Sequence, residues 1–111
     1  MIFHILFNYN QSNQVMDEKI QKVLEEKIHE STSRINEIST LVTSSGQDSP
    51  EEENAFGQGI IIGRLYNSFY YQSRRILKRN PTDQEFTEFI QLLKEHEHKF
   101  EEISGNSTSE E

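Results

Sequence analysis

The stretch that decides the fold is SPEEENAFGQGIIIGRLYNSFYYQSRRILKR, residues 49–79. It opens on a helix start signal. Ser49 can accept from exposed backbone N–H groups, Pro50 suits the first helical position, and Glu52 stands where a capping box places a carboxylate. Its middle, with Ile60, Ile61, Ile62, Leu65, Tyr66, Phe69 and Tyr70, is apolar almost all round, which predicts the central, most buried element: a helix from Pro50 to about Arg79. Gly57, Gly59 and Gly63 oppose that reading, because each costs a helix interior ~1 kcal/mol relative to Ala. Two explanations stay open. Ala55, Gly59 and Gly63 recur every four residues and clear one stripe of the helix so that another backbone can approach. Alternatively, Phe56 to Gly59 is a kink and the continuous helix begins at Ile60.

Upstream, a helical pattern runs for about 28 residues from Asp17, with Leu24, Ile28, Ser31, Ile35, Ile38 and Val42 forming one narrow seam in alternating steps of four and three. Thr43 to Ser49 has no apolar residue and contains Gly46, so it reads as a loop. Downstream, Pro81 stops the central helix, and Thr82 with Glu85 forms a second capping box. Phe86, Phe89, Ile90, Leu93, Phe100 and Ile103 then mark one apolar face to about Ser104, and Gly105 ends the helix. The expectation is an all-α fold: a three-helix antiparallel bundle with long helices spanning residues 16–104. Residues 105–111, GNSTSEE, should form a disordered acidic tail.

The first fifteen residues form a short segment with an apolar run, Ile2 to Phe7, followed by an Asn/Gln/Ser spacer. The run is far below the ~20 residues that cross a bilayer, and it lacks the basic flank and cleavage site of a secretory signal. A cytoplasmic protein with no membrane partner is expected. Either residues 2 to 9 are an edge strand or docking arm, or the run is an upstream extension and translation begins at Met16.

Of the 111 residues, 29 are Leu, Ile, Val or Phe, about a quarter, enough for a thin core. Cysteine is absent, which excludes disulfides, thiolate metal sites and cysteine nucleophiles. So small a domain must be held by packing or self-association. The net charge of −8 argues against a uniformly basic nucleic-acid binder. That sum conceals segregation: residues 1–63 carry −6, residues 64–79 carry +5, and residues 80–111 carry −7. Arg64, Arg74, Arg75, Lys78 and Arg79, interleaved with Tyr66, Tyr70 and Tyr71, could contact a nucleic-acid backbone and bases, be neutralised by acidic helices of the same or a second subunit, or meet an acidic protein partner.

No catalytic constellation, cofactor fingerprint or metal site is expected. GQGIIIG lacks both the preceding strand of a dinucleotide fold and the Gly-Lys-Ser/Thr ending of a P-loop. Glu26 with His29 and Glu95 with His98 have the Glu-x-x-His spacing of helical metal sites, but both carboxylates lie off the apolar faces. The expected role is a non-enzymatic helical module that binds protein and self-associates as a homodimer, in which either the first helices or the stripe of Ala55, Gly59 and Gly63 pack across a two-fold axis. The alternative is a nucleic-acid-binding regulator using Arg64, Tyr70, Tyr71, Arg74, Arg75, Lys78 and Arg79.

Overall fold

In a computed structural model the structure describes residues 15–100, all of whose regular elements are helical. Four α-helices follow one another: α1 Glu18–Ser33, α2 Ile35–Ser44, α3 Pro50–Gln72 and α4 Asp83–His96. A π-helical turn, Ser73–Leu77, extends α3, and a 3-10 turn, Glu97–Phe100, extends α4. The edge strand or arm expected at residues 2–9, within the extension of residues 1–15, and the tail expected at 105–111 lie outside the described residues.

Local signals account for where the helices begin. Asp17 accepts from the backbone N–H of Lys19 and Ile20, at 2.8 and 3.2 Å, and starts α1. Ser49 accepts from Glu52 N at 3.1 Å, with Pro50 in the first turn of α3. At α4 the capping box is reciprocal: Glu85 N donates to Thr82 Oγ1 at 3.1 Å, and Thr82 N donates to Glu85 Oε1 at 2.8 Å.

Two expectations about helix length are corrected. The first long helix is broken at Arg34 (φ −107°, ψ 25°), giving four helices instead of three. The Ser31-Thr32-Ser33 run explains the break. Thr32 Oγ1 donates to Ile28 O and Ser33 Oγ to Glu30 O, both at 2.9 Å, and hydroxyls bonded back to helix carbonyls bend the chain. The central α-helix also stops at Gln72 and not at Arg79. The π turn follows, and Lys78 then enters the left-handed region (φ 62°, ψ 30°), its N–H donating to Arg74 O at 3.1 Å.

α3 runs without a break through Gly57, Gly59 and Gly63, so the kink is not seen. It packs against both α1 and α2. One core cluster joins Ile20, Leu24 and Ile28 of α1 to Ile61, Leu65 and Phe69 of α3 and Phe89 and Leu92 of α4, with Met16 and Phe100 at its ends. Phe69 and Phe89 stack with centroids 4.5 Å apart and planes 7° apart, which locks α3 to α4. The molecule measures 46 × 39 × 21 Å, and its least dimension equals about two helix diameters of ~10 Å. Its radius of gyration of 16.5 Å exceeds the ~13 Å of a compact chain of 100 residues. Helices in so thin a plate bury one side and leave the other open.

Candidate interaction surface

The expectation that α3 is buried all round fails on its outward side. Ile61 and Leu65 are fully covered, whereas Ile62 is 40% and Tyr66 is 46% exposed. The pattern follows helical geometry at ~100° per residue. Gly57, Ile61, Leu65, Ser68 and Phe69 face the core, while Ala55, Gly59, Gly63 and Tyr66 fall opposite and are exposed, with Phe56 and Ile62 on the flanks. A Cβ built at Gly59 or Gly63 meets nothing within 4 Å. Among the described residues, the small-residue stripe is therefore not used to bring helices together.

This face is also free of charge. Between Asn54 and Gln72 the single ionisable cation or carboxylate is Arg64, and its guanidinium turns to α1, donating to Glu30 Oε1 at 2.6 Å. That hydrogen bond, helped by the Coulomb attraction of Arg64, holds the Glu30 carboxyl below the usual carboxylate range. Tyr66 and Tyr70 lie with ring centroids 5.2 Å apart, and Tyr66 together with partial burial pushes the Tyr70 phenol up. On α4, Phe86 and Ile90 continue the exposed apolar surface.

The five cations expected to form one contact surface are divided. Arg64 is taken by Glu30. Arg79 makes a two-pronged pair with Glu85, Nη1 to Oε1 and Nη2 to Oε2 at 2.9 Å each, and also donates to Asn80 O. The Glu85 carboxyl is buried, and the Arg79 hydrogen bond, opposed by burial and supported by the Thr82 N–H, lowers its pKa to about 2. Arg74, Arg75 and Lys78 have no carboxylate partner among the described residues. Arg74 Nε donates to Asn80 Oδ1 at 2.9 Å with its guanidinium 5.5 Å from the Tyr70 ring centroid, and Arg75 Nε donates to Gln72 Oε1 at 3.1 Å. Tyr71 beside them is 57% exposed.

The Arg79–Glu85 pair escaped sequence reading because it spans the Pro81 turn, with no helical spacing to announce it. Equally silent was the Glu88 carboxylate, which accepts from the backbone N–H of Val15 at 2.6 Å and of Met16 at 2.7 Å. Among the described residues no three of His, Asp and Glu converge as metal ligands, and no helix is long and apolar enough to cross a membrane. Compared with protein-family models, curated proteins and solved structures, the chain matches none.

Proposed function

We infer that the protein is a small, non-catalytic helical interaction module that self-associates through the outward face of α3. The observation that carries this reading is the bare, charge-free strip of Ala55, Gly59 and Gly63, flanked by Phe56, on the helix that also supplies the core. Two glycines on an exposed helix side cost ~1 kcal/mol each in helix propensity, and no contact among the described residues offsets that cost. A second copy does. The strip is shallow and uncharged, so it is complementary to itself, as a two-fold interface must be. Two such helices approach closely where side chains are missing, and two thin plates become one thicker core. Within each copy, α1 and α2 act as one bent arm of a three-part antiparallel bundle completed by α3 and α4.

Light scattering on the wild type and on Gly59→Leu tests the reading. A dimer that the leucine converts to monomer supports it. A wild-type monomer, or a dimer that tolerates the leucine, overturns it.

A second reading rests on one specific observation: among the described residues, Arg74, Arg75 and Lys78 lack carboxylate partners beside exposed Tyr71. Such a surface suits a single-stranded nucleic acid, with phosphates on the cations and a base on the ring. It requires binding that weakens steeply with salt and is lost when the three cations are changed to Gln. No binding to single strands at low salt removes it.

A further inference from the structure

The apolar seam between α3 and α4 is open on its outer side, and the chain holds a segment suited to cover it. Tyr66 of α3 and Phe86 of α4 flank the same buried ring, with centroids 6.4 and 6.3 Å from that of Phe89. With Ile62 and Ile90, each about one helical turn along from them, they make an exposed apolar set, each residue 37–46% accessible. We propose that residues 2–7 of the same chain, Ile2, Phe3, Ile5, Leu6 and Phe7 with His4 among them, dock on this seam.

Three observations converge on that occupant. First, the chain is pinned next to the seam. The Glu88 carboxylate holds the N–H groups of Val15 and Met16, and the Met16 side chain is buried in the core, so the preceding fourteen residues start from a fixed point on α4. Second, the lengths agree. Phe86 and Ile90 are each two positions from Glu88 and so lie about 160° round the helix from it, on its far side. Residues 8–14, Asn-Tyr-Asn-Gln-Ser-Asn-Gln, reach ~23 Å when extended at ~3.3 Å per residue. The plate is 21 Å thick, so the polar spacer is long enough to round α4 and deliver the apolar run to the opposite side. Third, the chemistry agrees. Residues 1–14 contain no Asp, Glu, Lys or Arg, and the patch of Ile62, Tyr66, Phe86 and Ile90 contains no charge. Burial of the apolar side chains on the side of the run that meets the patch stabilises both surfaces by the transfer of their area from water. The patch borders the outward side of α3, to which Tyr66 also belongs, but includes none of Ala55, Gly59 and Gly63, and the docking is a contact within one chain that does not require dimerisation.

The natural absence of cysteine makes the test clean. In the full chain, Leu6→Cys is paired with Ile90→Cys, and separately with Thr40→Cys on α2, which is exposed and away from the seam. Both are oxidised at high dilution and read by non-reducing electrophoresis and peptide mapping. The Leu6/Ile90 pair is expected to close within one chain at least about tenfold faster than the Leu6/Thr40 pair, beyond the proximity a loose tether alone supplies. Equal rates for the two pairs, or a Leu6–Ile90 bridge formed only between chains, would overturn the proposal. In the unmodified protein, nuclear Overhauser contacts from the Ile5 and Leu6 methyls to the Tyr66 and Phe86 rings are required, and their absence counts equally against it.

Discussion

Leu65 and Tyr66 are neighbours on α3, yet Leu65 is sealed in the core while Tyr66 is 46% exposed, and the contrast holds along the helix for Ile61 against Ile62 and Gly57 against Gly59. Both sides are uncharged and mostly apolar. The difference comes from the supply of partners: α1 and α2 lie against one side of α3, α4 locks to its edge through the Phe69–Phe89 stack, and among the described residues nothing covers the other side. Apolar content states how much surface a helix has to hide, and the rest of the chain decides how much is hidden within one copy.

The largest effect should come from the covered side. Leu65→Ala removes a fully buried side chain from the core cluster that joins α1, α3 and α4 and is expected to cost about 3 kcal/mol in urea unfolding. A cost below ~1 kcal/mol would erase the distinction between the two faces.

Next is the junction that sets α4 against α3. Glu85→Gln keeps the shape of the side chain but breaks the Arg79 pair and weakens the acceptor for Thr82 N, and should cost about 2 kcal/mol at neutral pH, discounted because Arg79 is half-exposed. The folded-state pKa of Glu85 is about 2, below the ordinary 4.5, so its contribution is complete above pH 4.5 and is lost as the pH falls toward 2. Wild-type stability should therefore fall across that window more steeply than that of Glu85→Gln, as followed by circular dichroism at successive pH values. Parallel curves would show that the pair carries no such weight.

Smaller effects probe the end of α3 and its bare side. Lys78 holds a left-handed conformation that costs a residue with a Cβ ~1 kcal/mol or more, so Lys78→Gly should raise stability by up to ~1 kcal/mol in thermal unfolding. Gly63→Ala should stabilise the dilute monomer by up to ~1 kcal/mol, because a Cβ there meets nothing among the described residues. At concentrations that favour association, the gain should shrink or reverse, since the added methyl then meets a second backbone. A gain independent of concentration would mean that the stripe stays in water.

Much of this architecture was legible in the residues. The starts of α3 and α4 were marked by Ser49-Pro50 and by Thr82 with Glu85, because capping is a local exchange of hydrogen bonds within four residues. The break at Arg34 was not, because Ser31 occupies a seam position and is buried there, while the hydroxyls of Thr32 and Ser33 that bend the chain leave no trace in an apolar pattern. The stop at Gln72 was hidden for a related reason: the cations and aromatics up to Arg79 fit a helix well, and nothing in their pattern marks the π turn that begins at buried Ser73, whose Oγ donates to Phe69 O. Of the candidate surface, the Ala55–Gly59–Gly63 stripe could be read from its spacing, but the loss of Arg64 to Glu30 and of Arg79 to Glu85 depended on which helices meet, and that is a tertiary fact.

The measurement that bears most directly on self-association through α3 is an isotope-filtered nuclear Overhauser experiment on an equal mixture of labelled and unlabelled chains. Contacts between the Ala55 methyl of one copy and the α protons of Gly59 or Gly63 of the other, in a particle of twice the 13.1 kDa chain mass, are the expected result. A particle of 13.1 kDa at every concentration, or contacts between copies confined to surfaces other than the outward face of α3, would refute it.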